Sequence, residues 1–199
     1  MGYWKQSNMH SRRVASLLIG AALAISVLTD FMAIQNFRSV DRFLDEARPP
    51  AAADIRALGP GTARILLRSH VGEINRFLFE KSEQFQLVLI LGFIAAVYLG
   101  QGSKPRIILT LGFAVLAILL VDRFYLTPEI TRLGRELDDS GSPAQNAGAF
   151  WQLHGIYSGL ELVKLAVGFS AAVILAASPG QKRSSEANIP AAAAASQRG

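Results

Sequence analysis

The sequence predicts an all-α integral membrane protein: a bundle of four transmembrane helices, with an extramembrane helical loop between the first two spans. Three observations carry that prediction. The 199 residues are 51% hydrophobic and only 18% charged, with a mean hydropathy of +0.30. The apolar residues fall in four blocks, each near the roughly 20 residues a helix needs to cross the hydrocarbon core. Basic residues flank those blocks, which is how topology signals are distributed, rather than forming one stripe for nucleic acid. The net charge of +5 therefore points to no nucleic-acid partner. There is no cysteine, which excludes disulfides, thiolate metal sites and a cysteine nucleophile.

Residues 1–13 form a polar tail with Lys5, Arg12 and Arg13 and no acid. The first span, 14–34, follows, interrupted near its end by Thr29 and Asp30. A basic segment before an apolar run also describes a signal peptide. This run exceeds the usual length, and no small-x-small cleavage site precedes Thr29-Asp30-Phe31, so an uncleaved span is expected. Residues 35–84 are the longest connection. Arg48-Pro49-Pro50 stops a helix, Gly59-Pro60-Gly61 is a second breaker, and Ala51 to Leu58 suits a short helix between them. Thr62 is a candidate N-cap for a helix leading into span two. On that helix Glu73, Arg76, Glu80 and Glu83 recur at offsets 0, 3, 7 and 10, the pattern of a solvated face with ion pairs.

Span two, 85–100, and span three, 107–126, are joined by a basic turn at Gln101-Gly102-Ser103-Lys104-Pro105-Arg106, making an antiparallel hairpin. Thr127-Pro128-Glu129 reads as a helix start, with Thr at the N-cap and Pro at the first position. Ile130, Leu133 and Leu137 give that short helix one apolar face. Ser142-Pro143 repeats the start signature before the last span, 153–177. The Ser-, Ala- and Gly-rich residues 178–199 read as a disordered tail.

The charges orient these spans. With the N-terminus cytoplasmic, the inside segments hold Lys5, Arg12, Arg13, Lys104, Arg106, Lys182, Arg183 and Arg198 against Glu186 alone. The outer end of span three and the third loop, taken together from Asp122, hold three arginines and five acids. Both termini are therefore expected in the cytoplasm, with the protein in the bilayer of a bacterial inner membrane. Trp4, Tyr125 and Trp151 fall near the interfaces, where aromatic belts form.

In that topology every span brings ionisable groups to one outer-leaflet layer. Asp30 comes from span one, Glu80 and Glu83 from the start of span two, and Asp122 and Arg123 from the end of span three. Span four supplies His154, Tyr157, Glu161 and Lys164, at offsets 0, 3, 7 and 10 on one helical stripe. His154 and Tyr157 match Asp30 in depth, with Glu161 and Lys164 running deeper. A charge at mid-bilayer costs about 2.5–3.5 kcal/mol, so these side chains are expected to face the bundle interior. The layer is either an ion-pair network fixing helix register or a site for a small ligand, proton or metal.

As metal ligands, His154, Asp30 and Glu161 form an oxygen-plus-imidazole set, but no HxxxH, ExxH or CxxC spacing accompanies them. The sequence requires no cofactor. Hydrolase elbows, phosphate loops and dinucleotide fingerprints are absent, so no catalytic residues are assigned. Gly155-x-x-x-Gly159 permits close helix approach, expected within the chain rather than between copies, although a homo-oligomer or a membrane-protein partner stays open. Two functions are expected to compete. One is a non-enzymatic scaffold or accessory protein; the other is a small transporter or a metal- or ligand-binding membrane protein using the site around His154.

The four spans, the Thr127-Pro128-Glu129-Ile130 start and Phe150-x-x-Leu153-His154-x-x-Tyr157 resemble the domain-of-unknown-function 4149 family, which is transmembrane protein 205-like and belongs to a copper-resistance D-like class. Thr29-Asp30-Phe31 fits the same pattern, and the resemblance covers about residues 14–177. It implies a small helical membrane protein and supplies no agreed activity. The long, charge-rich first loop departs from the family, and the absence of soft ligands weakens a copper role.

Overall fold

A computed structural model describes residues 3–100, 105–139 and 147–177. The expected turn at 101–104, the Ser142-Pro143 start, the tail from Ser178 and the side chain of Trp4 lie outside the described residues. Helix α1 spans Tyr3–Asp45, α2 Pro49–Leu58, α3 Pro60–Gly100 and α4 Pro105–Val121. A π-helical turn at Asp122–Leu126 leads into α5, Thr127–Asp139, and α6 is Ala147–Ala177. Four helical segments are long and apolar enough to cross a membrane: His10–Asp45, α3, Pro105–Leu137 and α6. This is an all-α four-span bundle, with no strand among the described residues.

The connection between the first two spans is helical almost throughout. Helix α1 has 43 residues and α3 has 41, so each is about 60 Å long, twice the ~30 Å hydrocarbon thickness. The pair stays in antiparallel register along that length. Ser26 Oγ donates to Gln86 Oε1 at 3.0 Å, Asn36 Nδ2 donates to Asn75 Oδ1 at 2.8 Å, and Asn75 Nδ2 donates to the Ala33 carbonyl at 3.2 Å. Farther along, Arg64 and Arg68 both pair with Asp41, at 3.3 and 3.6 Å. We call this end of the bundle distal.

Proline and glycine set the distal breaks. Arg48 is extended, at φ −68° and ψ 157°, and delivers the chain into Pro49 at the first position of α2. Gly59 ends α2 at φ +83°, a conformation that disfavours any side chain. Pro60 then starts α3, where its missing N–H is no loss. Thr62 thus lies inside α3 and is not its cap.

The opposite end carries both termini of the bundle, where Arg12 Nη2 donates to the Leu175 carbonyl at 2.8 Å. Between the two ends lies a narrow core of Ile19, Ile90, Phe93, Val115, Leu119 and Ala171. Two glycines let helices close on it. A Cβ at Gly112 would lie 2.9 Å from Phe93 Cε1, and one at Gly168 would lie 2.8 Å from Leu23 Cδ2. Gly155 and Gly159 do not serve this purpose, because a Cβ at either would meet nothing within 4 Å. Their face of α6 points outward, beside the exposed Trp151, Ile156 and Leu162. Outward apolar side chains such as Leu17, Val88, Leu99 and Phe169 suit lipid as solvent, which is why so little of each span is buried.

Candidate functional site

The site begins at the π turn. Proline at 128 supplies no N–H and its ring crowds the turn before it, so an ordinary α-helix cannot pass through unaltered. The chain widens instead: the Thr127 N–H bonds the Asp122 carbonyl, five residues back. Helix α4 therefore runs through the turn into α5, and Thr127 is not an N-cap. Residues five apart share a face in a π turn, so Asp122 and Thr127 both point inward. Arg123 turns toward α3, where its Nη2 lies 3.3 Å from Glu80 Oε1.

Inward of that rim sits a cluster drawn from every span. The Thr127 hydroxyl donates to Glu83 Oε1. Lys164 Nζ meets Glu161 Oε2 at 2.5 Å, with the two side chains 3% and 6% exposed. Asp122 is fully buried and stands in the field of both Lys164 and Glu161. Glu83 feels Asp122, Arg123 and Lys164, while Asp30 feels Glu161 and Lys164. Tyr157, edge-on to Phe79 at 5.7 Å, closes the cluster on the distal side. Four carboxyl groups thus surround one ammonium.

The polar valences of this cluster are incompletely satisfied. Both oxygens of Asp122 and Oε2 of Glu83 are buried with no hydrogen-bond partner among the described residues. A buried carboxylate left uncompensated costs several kcal/mol. Glu83 and Asp122, the buried carboxyls beyond the one neutralised by Lys164, therefore need a proton or another cation.

Beside the cluster lies a cavity of about 470 Å³ between α1, α3, α5 and α6. Its walls are mainly apolar, including Ala33, Phe79, Ile130 and Phe150. Asp30, Tyr157 and Glu161 form its polar end, next to Lys164 and Asp122. Ile34, Phe37 and Leu162 also line it and are 53%, 46% and 68% exposed, so its mouth lies between α1 and α6. His154 stands in the wall, its ring stacked on Phe150 at 5.8 Å and edge-on to Trp151 at 5.9 Å.

Arg76 also lines the cavity, and it is engaged. It pairs with Glu73 at 2.6 Å and packs so tightly on α5 that a Cβ at Gly134 would lie 2.7 Å from its guanidinium. Arg135 straps α5 to α3 by bonding both oxygens of Glu73, at 2.9 and 3.0 Å.

The structure brings together Asp30, Tyr157, Glu161 and Lys164 in one cluster. Glu80 and Arg123 pair at the rim. His154 belongs to the cavity and its aromatic wall. No group of three His, Asp or Glu side chains among the described residues is placed to hold a metal ion, so His154, Asp30 and Glu161 do not come together as a ligand set. The expectation that Glu73 to Glu83 form one solvated face fails at Glu83, which is 1% exposed beneath Thr127. Glu83 and Asp122 had a place in the sequence-read layer without a site role, and Thr127 had only a capping role. The signal for Thr127 was its five-residue separation from Asp122 immediately before Pro128.

No protein-family model, curated protein or solved structure matches the chain. The resemblance drawn from the four spans, the Thr127-Pro128-Glu129-Ile130 start and the Phe150 to Tyr157 motif rests on the sequence alone.

Proposed function

We propose that this multi-pass membrane protein binds a small amphipathic molecule in the cavity between α1, α3, α5 and α6, as a ligand-binding protein or small transporter. The observation that carries the reading is the cavity itself, with Asp30 and His154 both in its wall. A purely structural network, as in a scaffold or accessory subunit, calls for a dry packed core at that place. The mouth between Ile34, Phe37 and Leu162 faces the side from which a molecule dissolved in the bilayer arrives. Its volume is within the few hundred to ~1,000 Å³ of small-molecule sites.

Native mass spectrometry of the full chain in mild detergent tests this. The expected result is a bound small molecule that is retained by the unmodified protein and lost from Ala33→Phe or Ser158→Phe, which fill the cavity. Equal retention by the filled variants, or no adduct on any of them, would overturn the reading.

We further propose that both termini are cytoplasmic, in a bacterial inner membrane, on the strength of the basic residues at the terminal end. The chain has no cysteine to remove, so single-cysteine variants report topology directly. A water-soluble thiol reagent added outside intact cells is expected to label Arg64→Cys and to spare Arg106→Cys. The reverse pattern would invert the orientation. Membership of the domain-of-unknown-function 4149 family is likewise our proposal, supported by the span-four motif.

A further inference from the structure

The charge surplus beside the cavity says what kind of molecule the cavity takes. We propose that the ligand is a monovalent organic cation with apolar substituents, and that its binding releases a proton from the carboxyl cluster around Lys164. The inference rests on the ligand-binding reading above.

The groups that face the ligand decide its sign. Facing the cavity are Asp30 from α1, Arg76 from α3, and Tyr157, Glu161 and His154 from α6; behind them stand Glu83 from α3, Asp122 from the π turn and Lys164 from α6. Helix α5 offers Thr127, whose hydroxyl already donates to Glu83. The cationic residues nearby are engaged: Lys164 with Glu161, Arg123 with Glu80, and Arg76, itself in the cavity wall, with Glu73, which it shares with Arg135. An anion placed at the polar end would meet Asp30 and Glu161, whose neighbouring cation, Lys164, is already held by Glu161. A bare inorganic cation would leave most of the 470 Å³ unfilled and find no three-ligand group among the described residues. An organic cation satisfies both halves of the site: its apolar body lies against Phe79, Ile130 and Phe150, and its charge lies by Asp30 and Glu161.

The proton follows from charge balance. Asp122 is wholly buried with neither oxygen bonded among the described residues, and Glu83 has one oxygen in the same state. With one ammonium among four carboxyls, the empty cluster retains protons, because an uncompensated surplus of negative charge is not sustained away from water. A cation at Asp30 and Glu161 supplies the positive charge that a proton supplied before. One carboxyl O–H then loses its proton to water, its oxygen keeps the electron pair, and the charge of the cluster is unchanged. Proton and cation compete, so raising the pH removes the competitor and tightens cation binding.

Calorimetric titration of the purified full chain in nanodiscs tests this with two probes of one shape and opposite charge, tetraphenylphosphonium and tetraphenylborate. The expected result is selective binding of the cation. Its Kd should fall by up to about tenfold per pH unit, the limit for one-for-one exchange. Titration in buffers of different ionisation enthalpy should show about one proton released per cation bound. Asp30→Asn, which keeps the side-chain shape, is expected to weaken cation binding at least about tenfold. The proton count is made on the unmodified protein and needs no variant to fold.

Equal binding of both probes, with binding lost in Ala33→Phe, would sink the cation assignment and leave the ligand site standing. Cation binding with no proton released and no pH dependence would sink the exchange. No binding of either probe, together with no adduct lost in the cavity-filled variants, would remove site and inference alike.

Discussion

Replacing Lys164 by methionine is expected to destabilise the folded protein by about 3–5 kcal/mol, the usual cost of removing one partner from a buried ion pair. The side chain is 3% exposed and ends 2.5 Å from Glu161, so its charge is not replaced by water when it is lost. The effect should fall near the top of that range, because Asp30, Glu83 and Asp122 also stand in the field of the same ammonium. The double replacement Lys164→Met with Glu161→Leu should recover much of the loss, since apolar residues of similar volume substitute well for a buried pair taken out together. Unfolding of the detergent-solubilised protein by graded addition of sodium dodecyl sulfate measures both variants. A loss below about 1 kcal/mol for Lys164→Met would place the ammonium among weak, solvated pairs and undo the account of the cluster.

The second large effect is expected at Phe93, fully buried where α3 meets Gly112 of α4. In a water-soluble core, Phe→Ala costs about 3–5 kcal/mol, from lost transfer free energy and from the cavity left behind. In a bilayer the separated helix keeps its phenyl ring in lipid, so the transfer contribution largely drops out and packing remains. We therefore expect about 2–3 kcal/mol for Phe93→Ala, with the reduction taken from that argument. Val88→Ala, one and a half turns away and 69% exposed, should stay within about 0.5 kcal/mol by the same assay. Similar losses at the two positions would mean that α3 does not present Phe93 to α4 in the membrane.

The spans were legible because uninterrupted apolar runs of this length have few alternatives. The convergence of charges was legible for a related reason: burial in lipid is so unfavourable that ionisable residues in a span must find one another. The reach of α3 ahead of its span was legible in the helix expected from Thr62, whereas the continuation of α1 to Asp45 and its pairing with α3 were not. Asn36, Asp41 and Asn75 carry no apolar signal, and their pairing depends on a register that only the packed helices define. Glu83 could not be told from Glu73 by spacing, since both lie on one stripe; what separates them is that Thr127 covers one and solvent meets the other. His154 drew attention as an imidazole beside a span, and it proved to be a ring among rings.

Asp122 and Arg123 are neighbours of opposite charge, and ordinary helical periodicity does not say which one faces the bundle. The π turn decides it by holding one residue more than an α-helical turn, a shift of about 100° in angular phase. The polar and apolar faces of α4 and α5 are consequently two separate wheels joined out of step, with the aspartate at the joint. Loss of a single residue from that turn would bring the wheels into step and rotate the aspartate away from the lysine, with no charge in the sequence altered. The sign of the buried surface is thus set by the length of one turn as much as by the residues that line it.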